Sequence, residues 1–98
     1  MSNVRFGDSS DGLVAYLSGE IDHHSAQQLR MEIDAQLQNA LPRTLTLDFA
    51  GVSFMDSSGI GLILGRARRM SALDGRLVVR HPPRQIQKML DLARVSYI

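Results

Sequence analysis

The 98 residues are 44% hydrophobic and 21% charged, with a formal net charge of +1. This length suits one domain with a single core, and the balanced charge does not favour binding to nucleic acid or to an anionic membrane. The absence of cysteine excludes disulfides and thiolate chemistry. The polar first residues predict no signal peptide, and no apolar run approaches the ~20 residues of a membrane span. We expect a cytoplasmic globular protein.

The N-terminal part of the sequence predicts a β-hairpin. Residues 3–6 are typical of a short strand, and Leu13, Ala15 and Leu17 recur with the period of two that indicates a second strand. Residues 8–12 between them consist of aspartate, serine and glycine, which favour tight turns.

A first helix is predicted between this hairpin and Pro42. One apolar stripe has helical spacing and consists of Ala26, Leu29, Ile33 and Leu37. Ser25 and Gln28 have the spacing of a capping box, while Asp22 is a rival N-cap residue. The helix is expected to end near Asn39, because proline cannot continue it.

A second strand–helix unit follows. Residues 44–49 alternate and are rich in β-branched side chains, which predicts a strand that loosens at residues 50–51. The next helix is expected from Ser57 or Ser58 to Leu73, with an apolar stripe of Ile60, Ile63, Leu64, Ala67 and Met70. Three arginines lie off this stripe and are predicted to be solvated: Arg66, Arg68 and Arg69.

The last third of the sequence predicts one more strand and one more helix. Residues 76–80 suit a strand, and Pro82 and Pro83 suit the first turn of a helix. The buried face of that helix is predicted to be Ile86, Met89, Leu90 and Ala93, and residues 95–98 suit a terminal strand. The order β-β-α-β-α-β-α, with this terminal strand, predicts an α/β domain with a mixed, mostly parallel sheet and helices packed against it.

The stretch around Asp56 is the most informative for function. A strand-like run breaks at Asp56, Ser57 and Ser58, and three glycines follow within the helix, at positions 59, 61 and 65. Helical glycine costs about 1 kcal/mol relative to alanine, so we expect another backbone to approach closely there. The N-terminus of a helix, here with two hydroxyl groups, also favours the binding of an anion. We therefore predict that Ser57 or Ser58 is presented to a partner and modified.

The residue types at Asp22–His24 and at Ser57 and Ser58 also suit several other kinds of site. Asp22, His23 and His24 suggest a metal site, but a hydrolytic metal centre needs three or more ligands, and the third histidine, His81, lies beside two prolines. A small serine hydrolase would pair Ser57 with His23 or His24, although the chain has no G-x-S-x-G elbow. A phosphopantetheine carrier is disfavoured because such carriers are acidic and helical. Ser57 or Ser58 alone also suits an N-cap.

Residues 53–66 resemble the anti-sigma factor antagonists of the STAS domain family. Residues 19–26 match a second block of that family, residues 76–79 fall where it has a strand, and the likeness covers nearly all of residues 1–98. Within the family, the residues most resemble the antagonists that act in sporulation. Members usually continue into a further C-terminal helix, which is expected to be absent here.

The resemblance implies a binding switch that is not an enzyme and needs no metal or other cofactor. Family members bind an anti-sigma factor serine kinase, whose ATP and Mg²⁺ belong to that kinase, and thereby release a sigma factor. The kinase phosphorylates the serine after the aspartate, Ser57 here, and a phosphatase reverses the modification. The partner-binding residues implied are Asp22, His23, Asp56, Ser57, Ser58, Gly59, Gly61 and Arg66. A monomer is expected; a STAS module that binds lipid or nucleotide is the alternative role.

Overall fold

A computed structural model describes residues 2–10 and 12–98, so Met1 and Asp11 lie outside the described structure. Four strands alternate with three helices in the predicted order. The elements are β1 (Ser2–Ser9), β2 (Gly12–Ile21), α1 (His23–Ala40), β3 (Thr44–Met55), α2 (Ser57–Ala72), β4 (Arg76–Arg80) and α3 (Arg84–Leu92). This α/β architecture confirms the predicted fold class.

The sheet has the order β1-β2-β3-β4 and is mixed. β1 and β2 pair antiparallel and close at Ser9 and Gly12, which confirms the predicted hairpin, although Asp11 of its turn is outside the described residues. β2 and β3, and then β3 and β4, pair parallel, because a helix returns the chain between them. The carboxyl ends of β2 and β3 therefore meet at one edge of the sheet.

The core lies between the helices and one face of the sheet. In register across β2, β3 and β4, this face carries rows such as Leu13, Leu45 and Leu77. The predicted stripe of α1 (Ala26, Leu29, Ile33, Leu37) joins the same core, as do Ile86 and Leu90 of α3. Removing these apolar side chains from water is the main favourable contribution to folding.

The other face of the sheet carries a cross-strand polar cluster. Tyr16, Asp48 and Arg80 are register partners on three adjacent strands. Arg80 Nε donates to Asp48 Oδ2 at 2.8 Å, and His81 Nδ1 lies 3.2 Å from the same oxygen. Burial alone would raise the pKa of Asp48, but the hydrogen bonds from Arg80 and the Ala50 N–H and the nearby positive charges outweigh it and lower that pKa.

The third strand is longer than residues 44–49. β3 continues to Met55, and the loosening predicted at residues 50–51 is a bulge within it, because Asp48 pairs with Tyr16 and Gly51 with Ser18. The register with β2 shifts between Tyr16 and Ser18 and again between Gly19 and Glu20, so β3 carries two extra residues. Such bulges bend a strand without ending it, and they carry β3 to the edge where α2 begins.

Two further expectations about the helices and the terminal strand change in detail. In α2 the buried apolar residues are Leu62, Ile63 and Met70, whereas Leu64 is exposed. Residues 95–98 are not a strand. Ile98 nevertheless donates its N–H to Val79 O and accepts from the His81 N–H, both at 2.9 Å, beside β4.

Candidate functional site

Helices α1 and α2 begin side by side at the carboxyl edge of the sheet. Ile21 and Met55, the last residues of β2 and β3, are register partners. The Asp56 N–H donates to Ile21 O at 3.1 Å and ties the two strand ends together. His23 and Ser57 are thus the first helical residues of two adjacent helices, in the region where ligands and partners of open parallel sheets usually bind.

The start of α1 is closed by a reciprocal capping box. Asp22 is the N-cap: its Oδ1 accepts the Ser25 N–H at 3.0 Å, and Ser25 Oγ accepts the Asp22 N–H at 2.8 Å. The predicted pairing of Ser25 with Gln28 is therefore wrong, and the rival N-cap was right. Hydrogen bonds from the Ser25 N–H and hydroxyl, with a smaller contribution from His24, lower the pKa of Asp22.

The start of α2 leaves its hydroxyl groups available. Asp56 is the N-cap, and its Oδ1 accepts the Ser58 N–H at 2.8 Å. Ser57 is exposed at the first helical position, and its hydroxyl has no hydrogen-bond partner among residues 2–10 and 12–98. Asp56 alone thus caps the helix, and the Ser57 hydroxyl is available to react with another molecule.

The glycines of α2 have different environments. Gly59 is buried, and a Cβ there would collide with the Met55 side chain, so Gly59 makes room for Met55 within the protein. The Met55 contact accounts for Gly59 within the protein, and the predicted contact of Gly59 with a partner stays a prediction. A Cβ at Gly61 or Gly65 would meet nothing within 4 Å. Gly61 is exposed and is the glycine that a partner can approach.

A shallow cavity separates the first turns of α1 and α2. Its lining comes from both helices: His23, Ala26, Gln27 and Arg30 from α1, and Ser58, Gly61 and Leu62 from α2. Of the predicted partner-binding residues, this cavity unites His23, Ser58 and Gly61. Phe54, which is 52% exposed shortly before Asp56, adds an apolar side chain to the same edge.

The described structure shows no hydrogen bond between a histidine and the Ser57 hydroxyl, from either His23 or His24. His23 lines the cavity beside Ser58, whereas His24 lines a different one with Asp22. No group of three His, Asp or Glu side chains that could hold a metal occurs in the described part of the chain. The arrangement therefore shows an exposed hydroxyl at Ser57 that is not hydrogen-bonded to a histidine in the described residues.

Arg66 is not the solvated arginine that the sequence predicted. It is 8% exposed, and its Nε lies 3.3 Å from Asp34 Oδ1 on α1. Arg66 lies on the buried side of α2. Its methylene groups pack between the helices, and only its guanidinium group needs a polar or charged partner. Arg68 is exposed as predicted.

Sequence reasoning missed Arg30 and Asp34, which lie between the two helices. Their signal was the spacing: Arg30 and Asp34 are four residues apart and share the side of α1 that faces α2. Nothing in the sequence alone said which side of α1 would meet α2, so these residues were indistinguishable from a solvated pair.

Comparison with known proteins adds the family. The STAS domain family pattern matches residues 3–98. The chain belongs to the STAS domain family. An anti-sigma F factor antagonist of Lysinibacillus sphaericus is 38% identical over 81 residues, which cover 83% of this chain and 69% of the relative. The resemblance of residues 19–26 and 53–66 to this family is thereby confirmed.

Solved structures share the fold of this STAS domain. The unphosphorylated form of the anti-sigma factor antagonist SpoIIAA superposes with a TM-score of 0.83 and 30% identity, covering 98% of this chain and 88% of that one. The phosphorylated form of the Bacillus cell fate determinant SpoIIAA gives a TM-score of 0.76 at 30% identity, with coverages of 98% and 91%. The same fold therefore occurs with and without a phosphate in that protein.

None of the described helices is both long and apolar enough to cross a membrane.

Proposed function

We propose that this STAS domain is an anti-sigma factor antagonist controlled by phosphorylation of Ser57. In its unphosphorylated form it binds an anti-sigma factor that is also a serine kinase, and the sigma factor held there is released. The names of the relatives and of SpoIIAA support the antagonist role. The observation that carries the assignment to Ser57 is its exposed, unbonded hydroxyl at the first position of a helix that Asp56 caps.

Phosphate transfer to Ser57 requires little from this chain beyond presentation. The Ser57 oxygen bonds to the γ-phosphorus of ATP, ADP leaves, and the hydroxyl proton passes to a base of the kinase. ATP and Mg²⁺ belong to that kinase, so the chain needs no cofactor of its own. Neither His23 nor His24 is hydrogen-bonded to the Ser57 hydroxyl in the described residues, which fits a phosphate acceptor better than the activated nucleophile of the hydrolase alternative.

The geometry supports a switch that acts without refolding. A phosphoserine adds about −1.5 to −2 charges, and the N-terminal end of α2 stabilises a negative charge by about 0.3–1 kcal/mol. A partner surface that covers the neutral hydroxyl would instead have to bury an unpaired charge, which costs several kcal/mol. Each 1.4 kcal/mol changes affinity about tenfold. Phosphorylation therefore prevents binding, and a phosphatase that removes the phosphate restores it.

The remaining interface residues have distinct roles in this proposal. Asp22 and Asp56 hold the two helix starts in place as N-caps. His23, Ser58 and Gly61 line the cavity that a partner contacts. The domain acts as a cytoplasmic monomer, and sporulation is the process that the SpoIIAA likeness favours.

The direct test is to incubate the chain with its anti-sigma factor kinase and ATP and to map the modified residue by mass spectrometry. We expect one phosphate on the peptide that contains Ser57. Ser57→Ala should abolish it, and Ser58→Ala is the matched control that should retain it. An unmodified chain, or phosphate on Ser58 alone, would contradict the proposal.

A further inference from the structure

A second cavity lies between α1 and α2, nearer the middle of both helices than the one at the helix starts. This α1–α2 groove has a volume of about 360 Å³ and is lined by Arg30, Met31, Asp34, Ala35, Gln38 and Arg66. Arg30 also lines the first cavity, beside Ser58 and Gly61. A molecule that contacts the α2 start therefore meets Arg30 and the opening of this groove.

Arg66 lacks sufficient partners for its buried guanidinium group. Only 8% of the residue is exposed, and Asp34 Oδ1 lies 3.3 Å from its Nε without the alignment of a hydrogen bond. Nε and Nη1 are buried and have no hydrogen-bond partner among the described residues. Buried donors are normally satisfied, and a charged one left unmet is costly. Asp34 Oδ1 and Arg69 Nε are likewise buried without a hydrogen bond. Nη2 of Arg66 is not among these buried atoms and has no hydrogen-bond partner in the described residues, so it is the donor that an oxygen in the groove can reach.

The groove also has an excess of positive charge. Arg69 Nε lies 3.9 Å from Asp34 Oδ1, so Asp34 is shared by Arg66 and Arg69, with Arg30 nearby. Three guanidinium groups against one carboxylate leave two positive charges uncompensated. Burial lowers the pKa of Arg66, Asp34 opposes this, and the charges of Arg30 and Arg69 lower it further. An added negative group would relieve the repulsion between the guanidinium groups and accept a hydrogen bond from the accessible Nη2 of Arg66.

We propose that the α1–α2 groove binds an acidic side chain of the protein partner, with Arg30 and Arg66 as its hydrogen-bond donors. This inference rests on the proposed function, because it gives that partner a second contact on the surface that contains Ser57. A carboxylate fits because the planar guanidinium group pairs with it through two donors. A partner contact is favoured over a free anion because the groove is open and shares Arg30 with the cavity at Ser58 and Gly61.

The test compares two charge-removing variants of exposed arginines in the full chain. Arg30 and Arg68 are both exposed, but only Arg30 lines the groove. We expect Arg30→Gln to weaken binding to the anti-sigma factor kinase by at least about tenfold, whereas Arg68→Gln changes it less than about twofold. The affinity of Arg30→Gln should also fall less steeply with added NaCl. Arg30→Lys should be intermediate, since it retains the charge and loses the planar fork.

The outcomes separate this inference from the proposed function. Equal affinities of Arg30→Gln and Arg68→Gln, with wild-type binding and Ser57 phosphorylation intact, would overturn the groove contact alone. Failure of the wild-type chain to bind the kinase would overturn both. A third outcome would make the groove a small-anion site instead. In it, inorganic phosphate saturates the Arg66 Nε–H NMR signal at micromolar concentration, and Arg30→Gln leaves the affinity for the partner unchanged.

Discussion

The two helix starts share a pattern and use it differently. α1 begins with an aspartate N-cap followed by two histidines and Ser25; α2 begins with an aspartate N-cap followed by two serines and Gly59. In α1 the third residue closes a capping box on Asp22. In α2 the third residue has no side chain, and the Asp56 N–H is satisfied by Ile21 O of the neighbouring strand instead.

This difference explains why one helix start is structural and the other presents a hydroxyl. The Ser25 hydroxyl donates to Glu20 O and Asp22 Oδ1 and accepts the Asp22 N–H, so it is occupied within its own helix start. At the start of α2, Ile21 O of the sheet accepts the Asp56 N–H and Asp56 Oδ1 accepts the Ser58 N–H, while the Ser57 hydroxyl makes no hydrogen bond within the described residues. A modification site can be placed at a helix start without loss of stability when its capping is done by other groups.

The largest expected effect is on binding at the α2 start. We expect Ser57→Asp to lower affinity for the anti-sigma factor kinase by at least about 100-fold, because the interface must then cover an unpaired carboxylate. Ser71→Asp places the same charge at the other end of α2 and should change affinity less than about threefold. Calorimetric titration of both variants checks this. Similar losses in both would show that the charge acts through the whole surface rather than at Ser57.

The glycines of the α2 start should differ in their effect on stability. Gly59→Ala is expected to lower the free energy of unfolding by about 1–3 kcal/mol, because the added methyl group must displace the buried Met55. Gly61→Ala should raise it by about 0.5–1 kcal/mol, since its Cβ meets nothing and alanine favours a helix. Urea unfolding of the two variants measures this contrast. A stabilising Gly59→Ala would refute the packing explanation.

The serines of the two helix starts should also differ. Ser25→Ala is expected to lower the free energy of unfolding by about 1 kcal/mol, because the Asp22 N–H loses its acceptor. Ser57→Ala should stay within about 0.5 kcal/mol of the unmodified chain, as is usual for a surface position without partners. Thermal unfolding monitored by circular dichroism measures the stability of both variants. Equal losses would mean that Ser57 also caps its helix.

The smallest effect concerns the titration of Asp22. Its pKa is lowered in the folded chain, so this carboxylate stabilises the fold above the unfolded-state pKa, and that contribution is lost as pH falls through the folded-state pKa. Ser25→Ala should raise the pKa of Asp22 toward its usual value. An NMR titration of the side-chain carboxyl carbon between pH 2 and pH 6, roughly the range in which aspartate titrates, provides the measurement. An unchanged midpoint would contradict a contribution of the Ser25 hydroxyl and leave the Ser25 N–H, which the variant keeps, as the cause of the lowered pKa.

Local patterns in the sequence predicted most of the fold. The alternation of Leu13, Ala15 and Leu17 and the stripe of α1 determined element type, because each reflects one buried face. The aspartate and two serines before an apolar helix predicted a modified hydroxyl at Ser57 or Ser58 in the same way. The family resemblance then selected Ser57 and implied its role.

What the sequence did not predict depends on contacts between distant residues. The length of β3 follows from its pairing with β2, and the partner of Arg66 is Asp34 on another helix. Gly59 suggested an external approach, yet the approaching group is Met55, four residues earlier in the chain. Periodicity indicates which side of an element is buried, but it does not identify what packs against that side.

The most direct test of the switch measures binding and folding on the same two samples. The chain is phosphorylated on Ser57 by its kinase, and the product is separated from the unmodified form. Both forms are titrated with the anti-sigma factor, and the thermal unfolding of both is followed by circular dichroism. We predict at least about 100-fold weaker binding of the phosphorylated form, with an unfolding temperature equal to or slightly above that of the unmodified form. Equal affinities, or a phosphorylated form that has lost its fold, would contradict a local charge at Ser57 as the switch.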